Sequence, residues 1–306
     1  MTAYLTHADC LKHEMGEDHP ECPARITAIE DALHKAGLYD LLHHYEAPLA
    51  TGEQLKRAHD ADYVDALIAA APRQGHVHLD GDTSMNPHSL PAALRAAGAA
   101  VRAVDLVMGG EETTAFCNIR PPGHHAERRQ AMGFCLFNNV AVGAMHALHH
   151  HGVDRVAIVD FDVHHGNGTE DIFDTEPRVM LCSSFQYPLY PYKAGPTVDG
   201  HRVNVPLPAG AGGREFRRAV AATWFPQLER FQPRLIFISA GFDAHREDPL
   251  AGLNLVEQDY EWITREIMAI ADRHGRGRVI STLEGGYALP ALGRSAVVHI
   301  RALMKL

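Results

Sequence analysis

The chain has 306 residues, of which 46% are hydrophobic and 22% are charged, so it is long and apolar enough to bury a full core. Its 28 lysines and arginines against 38 aspartates and glutamates give a formal charge of -10, which argues against nucleic acid as a direct ligand. The N-terminal segment lacks the continuous apolar stretch of a secretory signal. The most apolar segment, residues 90–108, is interrupted by charged side chains, so no membrane span is expected.

The cysteine and histidine content gives two further expectations. The five cysteines are odd in number and form no C-x-x-C pair, so neither a disulfide framework nor a thiolate zinc site is indicated, and a reducing cytoplasm fits best. The 22 histidines include the run His149–His151, which ends a segment of helical periodicity. Imidazoles suit the negative end of a helix dipole, so a capping role is favoured there over metal binding.

Short runs rich in Val, Ile and Phe alternate along the chain with longer segments of helical periodicity. The predicted strands are Thr114–Cys117, Val156–Asp160, Val179–Ser183, Leu235–Ala240 and Val279–Leu283. The predicted helices are Ser89–Met108, Asn139–His150, Gly213–Phe231 and Val256–Arg273. This alternation predicts an α/β fold in which residues 1–306 form one domain, with a central, mostly parallel sheet and helices on both faces. The Pro- and Gly-rich segment Tyr187–Pro208 is expected to be a long functional loop.

Chemically reactive side chains follow four of these strands. The four segments are Arg120–His125, Asp160–His165, Gly241–His245 and Glu284–Tyr287. In an open parallel sheet, ligands bind beyond the carboxyl ends of the strands. The four segments are therefore expected to meet at one rim of the sheet.

The most informative of them is the run Asp160-Phe161-Asp162-Val163-His164, which follows the apolar residues 156–159. Carboxylates clustered at the end of a buried strand are costly unless a cation neutralises them. A hydrolytic metal centre uses three protein ligands and leaves a position for water, and Asp162, His164 and Asp243 supply that number. Without cysteine ligands, Zn(II), Fe(II), Co(II) and Mn(II) all remain open.

The neighbouring segments supply candidates for acid–base and oxyanion chemistry. His124 and His125 follow two prolines that stiffen the backbone, and imidazoles titrate near neutrality, so they are the candidate acid and base. Asp160 is expected to orient one of them. Tyr287 follows two glycines and is placed to donate a hydrogen bond to a developing oxyanion. The aromatic rings expected to flank a slender apolar substrate stem are those of Phe134 and Tyr190.

Taken together, these motifs resemble the histone deacetylase superfamily of metal-dependent amidohydrolases, over nearly the whole chain. The motifs that carry the resemblance are His19-Pro20-Glu21 with Arg25, Arg120–His125, Gly133–Asn139, Asp160–Gly168, Ser239–Asp243 and Glu284–Tyr287. The resemblance implies the single-domain arginase/deacetylase α/β fold and removal of an acyl group, typically acetyl, from a lysine-like amine.

The same resemblance assigns roles to individual residues. It implies a zinc ion on Asp162, His164 and Asp243, with His125 as general base and acid, His124 with Asp160 as its electrostatic partner, and Tyr287 clamping the carbonyl. It places Gly133, Phe134 and Tyr190 at the acyl-lysine tunnel and Arg25 near an inner channel for acetate. It also implies a structural potassium ion near Asp160, Asp162, His164 and Ser183.

Two positions depart from parts of the family. Asn167 stands where class I relatives have an aspartate, which places the chain nearer the class II and bacterial branch. The partner of His125 is therefore neutral, which should lower the basicity of His125 relative to an aspartate-paired histidine. Leu250 stands where a polyamine-selective vertebrate relative has a glutamate, so a cationic polyamine meets no carboxylate there. Asp80 and Asp82 could still orient a substrate amide or amine from the rim.

The expected partner is an acylated lysine peptide or protein, although an acylated polyamine or another small amide would suit the same chemistry. Two further functions are compatible with these residues. One is a catalytically silent protein that binds acylated ligands, and the second is a binuclear manganese ureohydrolase of the same fold. Association into a homo-oligomer is left open.

Overall fold

The computed structural model describes all 306 residues, and its centre is a sheet of eight parallel strands. Two further short strands pair antiparallel beside it. In chain order the strands are β1 Thr2–Thr6, β2 His43–Glu46, β3 Val77–His78, β4 Ser84–Met85, β5 Thr114–Cys117, β6 Val156–Asp160, β7 Val179–Gln186, β8 Arg202–Leu207, β9 Leu235–Ala240 and β10 Val279–Leu283. The order across the large sheet is β2-β1-β5-β10-β9-β6-β7-β8.

Nine α-helices connect and cover the strands. They are α1 Ala24–Lys35, α2 Gly52–Ala58, α3 Ala61–Ala70, α4 Ser89–Gly109, α5 Asn139–His150, α6 Asn167–Phe173, α7 Gly213–Phe231, α8 Glu257–Gly275 and α9 Leu289–Leu303. None of them combines the length and the apolarity that crossing a bilayer requires.

Both faces of the sheet are covered, because neighbouring residues of a strand contribute to different cores. On β9, Phe237 belongs to one cluster of 42 buried hydrophobic residues, whereas Ile236 and Ile238 belong to another of 40. The period of two along a strand sends successive side chains to opposite faces. Strands buried on both faces are typical of parallel sheets, and the α/β prediction is confirmed.

The predicted elements match the structure closely in the centre of the sheet and less well elsewhere. The extended strand β7 runs three residues beyond Ser183, and α8 covers Glu257–Gly275 instead of Val256–Arg273. The prediction of one long loop over Tyr187–Pro208 is wrong in its second half, because β8 lies within it at the edge of the sheet. Edge strands tolerate proline, and Pro206 is part of β8.

Five adjacent strands position the candidate site. The strands β5, β10, β9, β6 and β7 are neighbours in the sheet, although they are far apart in the chain. Because all of them run in the same direction, the loops that follow them meet at one rim.

Candidate active site

Asp162, His164 and Asp243 converge just beyond the ends of β6 and β9. Nδ1 of His164 lies 3.1 Å from Oδ1 of Asp162 and 3.2 Å from Oδ2 of Asp243. Both aspartates are fully buried. Oδ1 of Asp243 accepts a hydrogen bond from the backbone amide of Val163 at 2.9 Å, whereas its Oδ2 accepts none with good geometry.

The electrostatics of these three groups fit a divalent cation. Burial opposes a charge on His164, but the adjacent carboxylates of Asp162 and Asp243 outweigh burial and raise its pKa to about 10. Burial and the nearby Asp162 carboxylate raise the pKa of Asp243 to about 7. Two buried carboxylates therefore hold a proton on the imidazole, and one carboxylate oxygen lacks a partner. A divalent ion would replace that proton and balance both carboxylates.

Two glycines, Gly241 and Gly285, leave space for the carboxylates of Asp162 and Asp243 to approach each other closely. A Cβ atom on Gly241 would lie 2.0 Å from Oδ2 of Asp162, and one on Gly285 would lie 2.1 Å from Oδ2 of Asp243. The amide of Gly285 also donates to Oδ2 of Asp162 at 2.8 Å. Any larger residue at either position would displace a candidate ligand.

The adjacent residues His124 and His125 have different partners. Nδ1 of His124 lies 2.9 Å from Oδ2 of Asp160, whereas Nδ1 of His125 lies 2.7 Å from the amide oxygen of Asn167. Burial opposes a charge on His124, but the carboxylates of Asp162 and Asp160 outweigh burial and raise its pKa well above the usual range. Burial and the neighbouring imidazoles of His124 and His164 hold the pKa of His125 well below the usual range.

A buried glutamate holds the loop that carries both histidines. Oε2 of Glu284 accepts hydrogen bonds from the backbone amides of Gly123, at 2.7 Å, and His124, at 3.1 Å. Its Oε1 accepts a hydrogen bond from the hydroxyl of Ser239 at 3.1 Å. Glu284 thus ties the histidine loop after β5 to the ends of β10 and β9. Sequence analysis assigned this residue no role, although it lies in the motif that ends at Tyr287.

A second residue that sequence analysis missed is Glu127. The side-chain amide of Asn167 donates to Oε1 of Glu127 at 2.7 Å, and Nζ of Lys193 lies 2.5 Å from the same oxygen. The carboxylate therefore lies one hydrogen bond behind the partner of His125. No sequence motif marks it, because only the fold brings Glu127 against Asn167.

Tyr287 is held by its backbone and by a cation beside its ring. Its amide donates to Oδ2 of Asp248 at 2.7 Å, and the guanidinium carbon of Arg25 lies 4.9 Å from its ring centroid. Arg25 is fully buried and donates to the carbonyl of Gly286 at 2.7 Å and to Oε1 of Glu21 at 3.0 Å. Burial raises the pKa of the Tyr287 phenol well above its usual range, so the hydroxyl keeps its proton.

A cavity of 190 Å³ leads to these groups. It has nine of the predicted site residues in its wall, namely Asp82, His124, His125, Gly133, Phe134, His164, Tyr190, Leu250 and Tyr287. The Phe134 ring packs edge-on against Tyr287 with centroids 5.9 Å apart, and the Tyr190 ring packs edge-on against His125 at 5.1 Å. The two aromatic rings thus border the cavity next to two different candidate catalytic residues.

The remaining predicted residues lie behind this wall. Asp160 and Asn167 contact the two histidines, and Arg25 contacts Tyr287, as described above. Ser183 pairs with Asp160 across β6 and β7, and its hydroxyl lies 3.2 Å from Nδ1 of His165. Asp80, the neighbour of Asp82, accepts from the backbone amides of Asp82 and Thr83 and so shapes the rim loop.

Comparison with known proteins identifies the family. A sequence model of the histone deacetylase domain matches residues 19–303 of the chain. The chain belongs to the histone deacetylase family. The histone deacetylase-like amidohydrolase of Pseudomonas aeruginosa is 38% identical over 88% of this chain and 73% of its own length.

Two other similarities extend over the whole fold. An uncharacterized protein of Synechocystis sp. is 41% identical over 99% of this chain and 100% of its own length. The crystal structure of the HDA15 HD domain superposes with a TM-score of 0.93 at 34% identity, covering 99% of this chain and 88% of that one. The deacetylase fold of the chain is therefore shown both by sequence and by structure.

Proposed function

We propose that this histone deacetylase family member is a zinc-dependent amidohydrolase that removes acetyl or another short acyl group from a lysine-like amine. The observation that carries the proposal is the convergence of Asp162, His164 and Asp243 beside a narrow cavity whose wall contains His125 and Tyr287. Metal ligands, a proton carrier and a hydrogen-bond donor thus lie within one site.

Asp162, His164 and Asp243 would hold the ion through two carboxylate oxygens and one imidazole nitrogen. This donor set suits Zn(II) and also accepts Fe(II) or Co(II). When bound, such an ion polarises the substrate carbonyl and lowers the pKa of water for attack on it.

His125 is the group that moves protons. Its lowered pKa keeps the imidazole neutral near pH 7, so it is ready to accept a proton from the attacking water. Asn167 fixes Nδ1, which leaves Nε2 for the reaction. The same nitrogen then returns the proton to the leaving amine, because an amine is expelled far more readily than its anion.

His124 and Tyr287 stabilise charge. His124, held by Asp160, carries a positive charge next to the Asp162 carboxylate, from which its Nε2 lies 3.7 Å. Tyr287 keeps its phenolic proton and donates it as a hydrogen bond to the carbonyl oxygen as negative charge develops there.

The cavity wall supports a slender substrate with an apolar stem. Phe134, Tyr190 and Leu250 give it apolar surface, and Asp82 contributes a carboxylate. An acyl-lysine side chain has four methylene groups between its amide and the backbone, which matches such a wall, and Asp82 would accept a hydrogen bond from the substrate backbone. Because Leu250 offers no negative charge, we expect acyl-lysine to be preferred over acylated polyamines.

The proposal has three accompanying parts. The first is a structural potassium ion near Asp160, Asp162, His164 and Ser183. The second is a cytoplasmic location, in keeping with five cysteines that are all free. The third is the use of acylated lysine in a peptide or protein as substrate.

The test is turnover of a panel of acylated amides by protein depleted of metal and then reconstituted with Zn(II), Fe(II) or Co(II). We expect hydrolysis of an acetyl-lysine peptide to be abolished by a chelator, restored by metal and faster than hydrolysis of acetylputrescine. Full activity in metal-free protein would contradict the metal mechanism. Faster turnover of acetylputrescine would favour a small-amide hydrolase, and no turnover of any amide would favour a binding protein.

A further inference from the structure

A second cluster of metal-binding side chains lies where α4 and α5 end. Asp105 is in the last part of α4, His146 and His150 are one turn apart on α5, and His151 caps that helix. Oδ1 of Asp105 lies 2.8 Å from Nε2 of His146 and 2.8 Å from Nε2 of His151. One ligand atom from each of the four residues lies within 4.8 Å of the other three.

The cluster is partly buried. His146 is only 5% exposed, and its Nδ1 is a buried atom without a hydrogen-bond partner. The His146 ring stacks on His150 with centroids 4.8 Å apart and meets His151 edge-on at 5.5 Å. Three imidazoles therefore surround one carboxylate oxygen that hydrogen-bonds to only two of them.

The surroundings favour a cation. Both α4 and α5 end here, and the C-terminal end of a helix carries partial negative charge. Asp105 adds a full negative charge. Burial outweighs the Asp105 carboxylate and lowers the pKa of His146, which favours the neutral imidazole that a metal ion requires.

We propose that Asp105, His146, His150 and His151 form a second site for a divalent transition-metal ion, with Zn(II) as the best match. Three imidazole nitrogens and one carboxylate oxygen are the ligands of a closed tetrahedral site. Ligand atoms around such an ion lie about 3.3 Å apart, so the two 2.8 Å contacts need to open by only about 0.5 Å. The exposed side chain of His150 has the freedom to complete the set.

The ion would hold α4 and α5 together where both helices end, at the end of α5 that lies away from the catalytic rim. The α5 helix begins beside the histidine loop, where the Asn139 side chain donates to the carbonyl of Pro121 at 3.1 Å. His146 lies seven residues after Asn139, about 10 Å along the helix axis, and His150 lies one further turn away. The proposed site is thus separate from the catalytic cavity and does not depend on the proposed function.

The test is the number of Zn(II) ions bound per folded chain, measured by elemental analysis after equilibration and by calorimetric titration. We expect two ions in the wild-type protein. The double variant His150→Ala/His151→Ala should keep one, and Asp105→Asn should bind the second ion at least tenfold more weakly. His149→Ala is the matched control, because His149 is an exposed neighbour outside the cluster, and it should keep two.

Thermal unfolding gives an independent readout. Zn(II) should raise the melting temperature of the wild type and of His149→Ala by more than that of His150→Ala/His151→Ala, because a ligand bound only to the native state stabilises it. Circular dichroism shows whether each variant is folded, whatever its amide hydrolysis. An equal number of bound ions in the wild type and in the double variant, or equal loss in His149→Ala and in the double variant, would overturn the proposal. A second ion that persists in the double variant would overturn it too, and would point to a binuclear catalytic centre.

Discussion

His124 and His125 are neighbours in the chain with ring centroids 4.0 Å apart, yet their pKa values are shifted in opposite directions. His124 faces the carboxylate of Asp160, and its pKa is raised. His125 faces the amide of Asn167, and its pKa is lowered. Both are buried, but the carboxylates of Asp162 and Asp160 outweigh burial at His124, whereas the imidazoles of His124 and His164 add to the effect of burial at His125. In the proposed mechanism, one loop thereby provides a positive charge and a proton carrier side by side.

Removing each imidazole in turn tests whether the two rings have different roles, and the expected effects on kcat are large. His125→Ala should lower kcat by about 10²-fold to 10⁴-fold, because it removes the only neutral imidazole placed for proton transfer. His124→Ala should cost on the order of 10-fold to 100-fold, since it removes a charge-assisted interaction and no proton carrier. Steady-state kinetics on variants with equal metal content measures both. Equal losses would show that the two rings do not have distinct roles.

Tyr287→Phe separates oxyanion stabilisation from proton transfer. Loss of one well-placed donor should lower kcat by about 10²-fold to 10³-fold. The pH dependence of the remaining activity should keep its shape, because the hydroxyl does not titrate near neutrality. Tyr192→Phe, at an exposed tyrosine, is the matched control and should retain full activity. A shifted pH profile in Tyr287→Phe would mean that the phenol takes part in proton transfer.

Replacing the amide partner of His125 by a carboxylate should raise the pKa of His125, as the carboxylate of Asp160 does for His124. In Asn167→Asp the new carboxylate faces Glu127, whose Oε1 lies 2.7 Å from the present amide nitrogen, so the two carboxylates repel each other and the variant should melt earlier. In Asn167→Asp/Glu127→Gln the glutamine amide donates to the new carboxylate and relieves that repulsion.

The double variant should therefore raise the pKa of His125 by about one unit or more. Activity needs the neutral imidazole, so the acidic limb of the kcat/KM profile should move to higher pH by the same amount. An unchanged limb in a stably folded double variant would show that His125 is not the group whose deprotonation limits activity.

Glu127→Gln alone is the mildest change. The glutamine oxygen still accepts from Asn167, so the geometry of the His125 partner is kept and only the charge behind it is lost. The acidic limb should move to lower pH by a few tenths of a unit, since one remote negative charge no longer favours the imidazolium. Arg129→Gln, at an exposed cation near Glu127 in the chain, is the control and should leave the limb in place.

The centre of the fold and the positions of the residues at the strand ends could be predicted from sequence. Apolar runs such as Val156–Asp160 have the length and composition of buried strands, and parallel strands bring the following loops to one rim. The edge strands of the sheet were harder to predict. The β8 strand lies in a Pro- and Gly-rich segment and has one exposed side, so its pattern resembles that of a loop.

Contacts between residues distant in sequence account for what sequence analysis missed. The role of Glu127 depends on Asn167, which is 40 residues away, and that of Glu284 on backbone amides 160 residues away. The histidines at the end of α5 were predicted to cap the helix because imidazoles suit the negative end of its dipole, and His151 does lie at the C-cap. The contact of His151 with Asp105, 46 residues earlier in the chain, could not be predicted from that segment.

The backbone at Gly241 and Gly285 has a consequence for how this enzyme family can diversify. Since any side chain at either position would collide with Asp162 or Asp243, neither position can be used to adjust those carboxylates gradually. Asp82 and Leu250 lie in the cavity wall and are not among the candidate metal ligands. New substrate preferences, whether natural or designed, are therefore expected to arise at such positions, while the reaction chemistry is inherited unchanged.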